Sequence, residues 1–377
     1  MELRKMGKLD VMTSLLGFGC MRFPLNAEGE IDEEISGQML LEAYRSGVNY
    51  FDTAYTYHNS KSESFTGRVL NRLPRESYYL ATKFPSWLLR KTSDIREILN
   101  IQLNRLDKNF VDFYLLHTLN EGYWEKTLSL NVLDECEKLK KEGKIRYLGF
   151  SFHDSYEVFE KIIKSYDWDF CQIQLNYMDT EEQAGIKGYE LATSLGIPVI
   201  VMEPVKGGSL ARLPEDARIA LEEVTPGASP SSWALRWAGS LPNVKVILSG
   251  MSSMEQVSEN CALFKDFKPL SEEESAVIVK AADAFRKRIR NGCTGCGYCM
   301  PCPSGVNIPE CFKIWNEFGM FENVGQTRWW WNESFPASSK PDNCVECGLC
   351  EAACPQGLSI IENLKTLQTE IEQAIRE

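Results

Sequence analysis

The feature that most constrains the fold is an alternation of short apolar runs with longer, charged, helix-periodic stretches between residues 15 and 262. Eight such pairs occur, and they predict eight strand–helix units. Their strand candidates are residues 15–20, 50–53, 79–83, 113–117, 146–151, 170–175, 198–202 and 245–248. Parallel strands need a crossover, usually a helix, and eight units in about 250 residues are typical of a (β/α)8 TIM barrel. A doubly wound open sheet is the alternative, but it seldom contains eight regular units.

The segments around these strands divide the chain into three regions. Helical periodicity covers residues 33–46, 61–72, 92–107, 125–142, 155–165, 181–195, 231–239 and 253–262. The residues before the first strand, with Gly7 as a turn, predict a hairpin that closes the barrel floor. We therefore assign residues 1–270 to the barrel, 271–290 to a connecting helix and 291–377 to a small C-terminal domain. This last region contains helix candidates at 308–318 and 360–375.

Charge and hydropathy limit the partners of the chain. The formal net charge is −12, and no long run of Lys or Arg offers a local exception. Such a chain repels phosphate backbones and anionic lipids, so we expect neither a nucleic-acid partner nor a membrane partner. No stretch approaches about 18 consecutive apolar residues, and the first residues contain no apolar export segment. The sequence therefore predicts a cytoplasmic protein whose cysteines are reduced.

Cysteine is concentrated near the C-terminal end, where nine of the 13 cysteines lie between Cys293 and Cys354. Residues 344–355 have the spacing C-x2-C-x2-C-x3-C-P of bacterial 4Fe-4S ferredoxin sites, in which the fourth thiolate ligates a second cluster. Residues 293–303 repeat this spacing with one residue fewer before the last cysteine. The pattern predicts two 4Fe-4S clusters, one held by Cys293, Cys296, Cys299 and Cys354, and the other by Cys344, Cys347, Cys350 and Cys302. Cys311 is left over and is the alternative to Cys302.

Two other interpretations of the cysteines stay open at this point. A pair of zinc sites would also use C-x2-C pairs, but each run here supplies a third cysteine at the same pitch and ends in Cys-Pro, which favours iron-sulfur. Clusters that are purely structural are the second alternative, because a cluster's potential depends on surroundings that the sequence does not show.

Four titratable residues fall where predicted strands end, which is where TIM barrels place their catalytic groups. Asp52 ends the second strand, Tyr57 follows in its loop, Lys83 ends the third strand and His117 ends the fourth. A neighbouring ammonium favours a phenolate, so we expect the pKa of Tyr57 to be lowered to a value useful for a general acid. Asp52 would hold the Lys83 ammonium, and His117 would orient a carbonyl oxygen. A metal-dependent hydrolase built on the three histidines is disfavoured because no H-x-H or H-E-x-x-H pattern occurs.

The loops after the last two strands supply a weak phosphate-binding signal. Gly207-Gly208 follows the seventh strand, and Ser252-Ser253 opens the helix after the eighth. TIM barrels commonly bind phosphate with free backbone N–H groups at these two loops. A Gly-Gly pair is more often only a turn, and Ser-Ser before a helix is more often only a cap.

With these residues in view, the sequence resembles an aldo-keto reductase. The resemblance covers residues 1 to about 265 and is carried by five segments: Phe51-Asp52-Thr53-Ala54-x-x-Tyr57, Ala81-Thr82-Lys83, Leu115-Leu116-His117, Gly149-Phe150-Ser151 and Ser249-Gly250-Met251-Ser252 with Glu259-Asn260. It implies a (β/α)8 barrel that binds an extended NAD(P)H across its C-terminal mouth. It also implies an Asp, Tyr, Lys, His tetrad in which Tyr57 donates the proton. Together with the two cysteine runs, the chain looks like a subgroup with a C-terminal ferredoxin-type 4Fe-4S domain.

The same resemblance implies a set of coenzyme contacts. Ser151 and Gln172 would hold the carboxamide and Gly19 would approach the coenzyme, whereas Ser252, Gln256 and Asn260 would line its adenosine end. The chain departs from the family pattern in three places. After the fifth strand the family usually has Ser-Asn, whereas this chain has Ser151-Phe152-His153. Met202 stands where an aromatic residue usually stacks on the nicotinamide. Gln256 stands where an Arg often binds the 2′-phosphate. The choice between NADH and NADPH is therefore open.

These observations predict an NAD(P)H-linked oxidoreductase that acts on a carbonyl or alcohol substrate. Nicotinamide transfers two electrons as hydride, whereas a 4Fe-4S cluster transfers one, so electron exchange with an external one-electron carrier requires a group that splits the pair. A flavin in the barrel mouth or on a partner is one such group. The alternative function is an electron-transfer or scaffold protein whose barrel does not turn over.

Overall fold

The computed structural model describes residues 1–376, and the chain divides into two compact units. The first unit consists of Met1–Gly207 with Ser231–Ser271. The second consists of Gly208–Pro230 with the residues from Glu272 onward. Within residues 1–376, no helix combines the length and the apolar character that crossing a bilayer requires.

The first unit is a closed barrel of eight parallel strands preceded by a hairpin. The hairpin pairs β1 (Leu3–Lys5) with β2 (Met12–Ser14) in antiparallel fashion. Each barrel strand pairs with the next along the chain, and the last pairs with the first. These strands are β3 (Leu16–Gly19), β4 (Tyr50–Asp52), β5 (Tyr79–Pro85), β6 (Val111–Leu119), β7 (Ile145–Phe152), β8 (Phe170–Gln174), β9 (Val199–Met202) and β10 (Val244–Ser249). The predicted (β/α)8 barrel is confirmed.

The hairpin plugs the N-terminal end of this barrel. Met6, Leu9 and Val11 lie in its turn, are buried, and belong to one apolar cluster with inward-facing barrel side chains such as Phe113 and Phe170. The predicted barrel floor is thus confirmed. Because apolar packing fills this end, polar chemistry is left to the opposite end, where the strands finish.

The helices of the first unit follow the predicted rhythm, with one clear difference. The single helix predicted over residues 125–142 is two helices, because Asn131 between them adopts a left-handed conformation with φ of 48°. Left-handed backbone breaks an α-helix, and Asn is among the few residues that tolerate it. Numbered in chain order, these helices are α1 (Glu33–Arg45), α2 (Tyr57–Ser60), α3 (Ser62–Leu70), α4 (Asp94–Leu106), α5 (Glu121–Ser129), α6 (Val132–Lys141), α7 (Tyr156–Lys164), α8 (Gly185–Ser194), α10 (Pro230–Gly239) and α11 (Met254–Lys265).

The second unit is helical, and its described residues contain no strand. Its helices are α9 (Glu215–Val224), α12 (Glu272–Arg286), α13 (Ile308–Phe321), α14 (Val324–Trp329), α15 (Leu349–Ala353) and α16 (Ile360–Arg376). Helix α9, which sequence periodicity did not indicate, packs against α12. Helices α13 and α16 supply most of a second apolar core that includes Phe312, Trp315, Trp331, Leu364 and Leu367.

Candidate functional site

The four residues of the predicted tetrad meet at the C-terminal end of the barrel. Asp52 is the last residue of β4, Lys83 lies in β5, His117 lies in β6, and Tyr57 begins α2. The parallel register aligns these strand ends, since Pro85 of β5 stands opposite His117. Consecutive strands of a barrel are neighbours in space, and this is why residues far apart in sequence come together here.

The Lys83 ammonium is the centre of the group. Its side chain is fully buried and uses its three N–H donors on three acceptors: Oδ1 of Asp52 at 2.5 Å, the carbonyl oxygen of Thr53 at 2.9 Å and Oη of Tyr57 at 3.3 Å. An ammonium has only three donors, so this arrangement fixes its orientation. A buried ion pair is costly unless it is hydrogen-bonded in this way. The geometry therefore holds a positive charge permanently beside the Tyr57 hydroxyl.

The protonation states follow from burial and from this charge. Burial lowers the pKa of Lys83, but Asp52 and Tyr57 outweigh it and raise the pKa above its ordinary value, so the ammonium persists. Burial raises the pKa of Tyr57 above 10.0, and Lys83 opposes this only in part. The expected lowering of the Tyr57 pKa is therefore wrong for this structure. Tyr57 is a neutral phenol that keeps its proton available for donation.

His117 forms one wall beside the Tyr57 hydroxyl. Its ring centroid is 6.1 Å from that of Tyr57, edge to face, and 5.3 Å from that of Trp87. Burial lowers the pKa of His117 well below 6.5, and Lys83 and His153 lower it further, so the ring is neutral. Its Nδ1 is buried and has no hydrogen-bond partner among the described residues. Sequence reasoning missed Trp87, which lies in a short turn after β5 and carries no motif.

A buried polar network supports Lys83 from behind. The Glu63 carboxylate is fully buried and accepts from Thr82 Oγ1 at 2.7 Å, Gln102 Nε2 at 2.8 Å and Arg105 at 3.1 Å. Gln102 Nε2 also donates to the carbonyl oxygen of Lys83 at 2.9 Å. These contacts tie α3 and α4 to β5 at the position of the ammonium-bearing residue. The sequence contained no signal for this network because its members belong to three separate elements.

The predicted carboxamide contacts lie on the neighbouring strands of the barrel. Ser151 lies near the end of β7, close to the barrel mouth, and its Oγ accepts from the backbone N–H of Thr118 at 2.8 Å. Gln172 in β8 is buried, and its Nε2 donates to the Met202 sulfur at 3.4 Å. Its Oε1 is buried without a partner among residues 1–376. A buried acceptor left unsatisfied is costly, so Gln172 Oε1 fits a ligand that donates an N–H.

The residues predicted for the adenosine end lie at the last strand and its helix. Ser252 and Gln256 are exposed, and Oε1 of Gln256 accepts from the backbone N–H of Ser252 at 2.7 Å. The Gln256 side chain thus caps the start of α11. Asn260 is buried and donates to Ser249 Oγ at 3.1 Å. Gly19 ends β3, where a methyl group would come within 3.4 Å of the Ser249 carbonyl oxygen.

The cysteines of the second unit surround two cavities. One cavity is lined by Cys293, Cys296, Cys299 and Cys354, which are the four residues predicted for one cluster. The other is lined by Cys302, Cys344, Cys347 and Cys350, the set predicted for the second cluster, with Cys299 at its edge. No three His, Cys, Asp or Glu side chains among residues 1–376 gather closely enough to hold a single metal ion. The cysteine thiols instead line the walls of these two cavities.

Cys311, the alternative to Cys302, lines neither cavity. It is buried in the apolar core of the second unit, and its thiol donates to the carbonyl oxygen of Ser339 at 3.7 Å. Burial raises the pKa of the Cys311 thiol to about 12, which disfavours the thiolate that metals bind. The geometry therefore favours Cys302 over Cys311.

Comparison with known proteins agrees with both units. Residues 15–283 match the Aldo/keto reductase family, and residues 292–358 match the 4Fe-4S dicluster domain. An L-galactose dehydrogenase of Arabidopsis thaliana is 25% identical to the chain, over 81% of this chain and 98% of that protein. An NADH-specific methylglyoxal reductase of Escherichia coli is 27% identical, over 75% of this chain and 98% of that protein.

A solved structure shows the same barrel. An aldo-keto reductase of Bacillus halodurans in its holo form is 28% identical and has a TM-score of 0.64, over 75% of this chain and 97% of that chain. The family match alone spans well over half of the chain. The protein therefore belongs to the aldo/keto reductase family and carries a C-terminal 4Fe-4S dicluster ferredoxin-type domain.

Proposed function

We propose that this oxidoreductase uses NAD(P)H to reduce a small carbonyl substrate, or runs the reverse oxidation of an alcohol, at the group formed by Asp52, Tyr57, Lys83 and His117. The observation that carries the proposal is the contact between the Lys83 ammonium and Oη of Tyr57 at 3.3 Å. A relative at 27% identity is named an NADH-specific methylglyoxal reductase, which supports a nicotinamide coenzyme and a small carbonyl compound.

Each residue of the group has a distinct task in the proposed reaction. When bound, the coenzyme supplies the hydride. Tyr57 holds a proton at Oη and donates it to the carbonyl oxygen, while the Lys83 ammonium stabilises the tyrosinate that remains. Asp52 keeps that ammonium charged and oriented through the 2.5 Å contact. His117, neutral because its pKa is lowered, orients the carbonyl oxygen without competing as an acid.

The residues that would hold the coenzyme line the mouth from β7 to the start of α11. Gln172 Oε1 is a buried acceptor without a partner among the described residues, and it fits the N–H donors of a carboxamide. Ser151, Met202 and Gly19 would line the nicotinamide end. Ser252, Gln256 and Asn260 would line the adenosine end.

The two cysteine-lined cavities fit the two 4Fe-4S clusters, which supply one-electron transfer when bound. Cys296 and Cys347 are the exposed members of the two sets, so each cavity has one thiol at the surface. An external one-electron carrier would approach on these sides. A flavin that splits the electron pair, in the barrel mouth or on a partner, is part of this proposal.

The test is a comparison of the wild-type chain with Tyr57→Phe, both replete with iron and kept anaerobic. Removal of the phenolic proton donor is expected to lower carbonyl reduction by about 10²–10⁴-fold, as for other general acids. The visible iron-sulfur absorbance should not change, because Tyr57 belongs to the barrel. An unchanged rate would overturn the proposed mechanism.

A titration with NADH and then NADPH, read on the same absorbance, tests the proposed role of the clusters. If the clusters bleach, the nicotinamide and the clusters exchange electrons. Clusters that stay oxidised with coenzyme and substrate both bound would contradict electron exchange and favour a structural role.

A further inference from the structure

The loop that follows β3 is fixed on both sides of the barrel mouth. On one side, the backbone N–H of Phe23 donates to Nε2 of His58, next to Tyr57, at 3.2 Å. On the other side, Ser252 Oγ donates to the carbonyl oxygen of Arg22 at 2.7 Å. The loop therefore runs from the proton donor to the start of α11, and Arg22 lies between these two points.

The Arg22 side chain crosses two glycines at the ends of the last two barrel strands. A methyl group at Gly250, just after β10, would come within 2.9 Å of Arg22 Cγ and 3.1 Å of its Cβ. A methyl group at Gly207, after β9, would lie 3.5 Å from a terminal guanidinium nitrogen. The Arg22 side chain thus occupies the space that a side chain at position 250 would fill. The guanidinium reaches the turn at Gly207, whose φ of 62° favours glycine.

The charge of Arg22 is not neutralised by the residues that the structure describes. Arg22 is exposed, and its guanidinium makes no hydrogen bond or ion pair within residues 1–376. The lysine in the same turn, Lys206, is bound by the Asp179 carboxylate at 2.9 Å. Arg22 is therefore a cation that lies against the turns at Gly207 and Gly250, and its guanidinium N–H donors are available for a ligand.

We propose that the Arg22 guanidinium binds the pyrophosphate of the coenzyme. A guanidinium matches phosphate oxygens with two parallel N–H donors, and TIM barrels bind phosphate at the loops after their seventh and eighth strands, here β9 and β10. The position of Arg22 favours the pyrophosphate over the 2′-phosphate, because it lies between the tetrad and Ser252, where the middle of an extended dinucleotide would lie. This inference rests on the proposed function and adds a residue to it.

The experiment measures binding by calorimetry to the full, iron-replete chain under anaerobic conditions. The probes are NADH, NADPH, ADP-ribose and inorganic pyrophosphate, and the variants are Arg22→Gln, Arg22→Lys and the matched control Arg72→Gln. Arg72 is exposed in the turn after α3, where strands and helices meet at the opposite end of the barrel. We expect Arg22→Gln to weaken all four ligands by about 10–100-fold, the loss for a hydrogen bond to a charged group, and Arg72→Gln to change none of them.

Two further observations are expected if the inference holds. Arg22→Lys should keep part of the affinity, because it retains the charge without the paired donors. Gly250→Ala should weaken the same four ligands while the Arg22 charge remains, because the new methyl group displaces the Arg22 side chain.

Other outcomes separate this inference from the proposed function. If Arg22→Gln binds both coenzymes as tightly as the wild-type chain does, the inference is overturned. If Arg22→Gln loses affinity for NADPH alone, Arg22 is reassigned to the 2′-phosphate. A wild-type chain that binds inorganic pyrophosphate through Arg22 but neither coenzyme would overturn the proposed function and keep the anion site. A wild-type chain that binds none of the four probes would overturn both.

Discussion

At the scale of single residues, the contact between Lys83 and Asp52 has a measurable energetic signature. Both side chains are buried, and the ammonium and carboxylate are 2.5 Å apart. Removing one partner leaves an uncompensated buried charge, so we expect Lys83→Met alone to lower the free energy of unfolding by about 3–5 kcal/mol. The double variant Asp52→Asn/Lys83→Met should cost less than the sum of the single variants. Denaturation followed by tryptophan fluorescence measures this, and additive losses would contradict a direct pair.

The neutral state of His117 predicts the pH dependence of catalysis. Because burial lowers its pKa well below 6.5, His117 is uncharged at neutral pH and gains a proton only as the pH falls far below that value. We therefore expect kcat/KM for carbonyl reduction to pass through pH 6.5 without a break and to decline only at more acidic pH. A pH–rate profile from pH 5 to 8 checks this expectation. A fall of kcat/KM around pH 6.5 in the wild-type chain that is absent in His117→Asn would show that the His117 ring ionises at its ordinary pKa.

The residues also differ in how far the sequence could predict them. Asp52, Lys83 and His117 were found because an apolar run in the sequence ends at each of them. In the structure β4 ends at Asp52, whereas β5 continues to Pro85 and β6 to Leu119. The direction of the Tyr57 pKa was wrong, because the sequence shows its charged neighbour but not the burial that outweighs it. The exposed ring of Trp87 beside His117 depends on how a loop folds over the mouth, and no spacing rule contains that information.

At the scale of elements, the Glu63 network ties α3 and α4 to β5 beside Lys83, a residue of the proposed catalytic group. Glu63→Ala would leave Arg105, Thr82 and Gln102 without their shared acceptor, so we expect a loss of about 3–5 kcal/mol in unfolding free energy. Glu63→Gln is the matched control, because an amide oxygen still accepts from Thr82 and Gln102. It should lose less stability. Urea denaturation with kcat measured on the same samples provides the test, and equal losses for both variants would contradict the network.

Element boundaries show where sequence periodicity stops being informative. All eight strands were predicted, because a strand that is buried in a barrel must be apolar along most of its length. The break at Asn131 and the left-handed backbone of His58, Asn59 and Ser60 were not, since one to three residues with positive φ leave the hydrophobic period almost unchanged. Helix α9 was missed for a different reason. Its apolar face is short, with only Ala217 and Leu221 buried, and it packs against α12.

At the scale of the whole molecule, the sequence predicted both units because each has its own long-range pattern. The barrel follows from an eightfold repeat of alternating elements, and the iron-sulfur domain follows from cysteine spacing. The limits drawn at residues 270 and 290 stay a prediction. Residues 208–230 cluster with the second unit although they lie between β9 and α10 in sequence, and no local pattern indicates such a placement.

The cluster ligands give the last prediction, because the chain contains its own control. Cys302 lines the cavity with Cys344, Cys347 and Cys350, whereas Cys311 is buried in the core and its thiol contacts a backbone oxygen. Two clusters would give about eight iron and eight acid-labile sulfide per chain. We expect Cys311→Ser to keep both values, while Cys302→Ser should lose or destabilise one cluster and approach half of them.

Iron and sulfide analysis of anaerobically purified protein, with electron paramagnetic resonance of the reduced samples, measures this difference. A fall in iron for Cys311→Ser with Cys302→Ser unaffected would assign the fourth ligand to Cys311. Equal losses in both variants would instead indicate that the second unit fails to fold. Circular dichroism at the helical minimum separates that case, because α13 and α16 hold the core to which Cys311 belongs. A chain that retains its helices and loses one cluster only in Cys302→Ser assigns the eighth thiolate to Cys302.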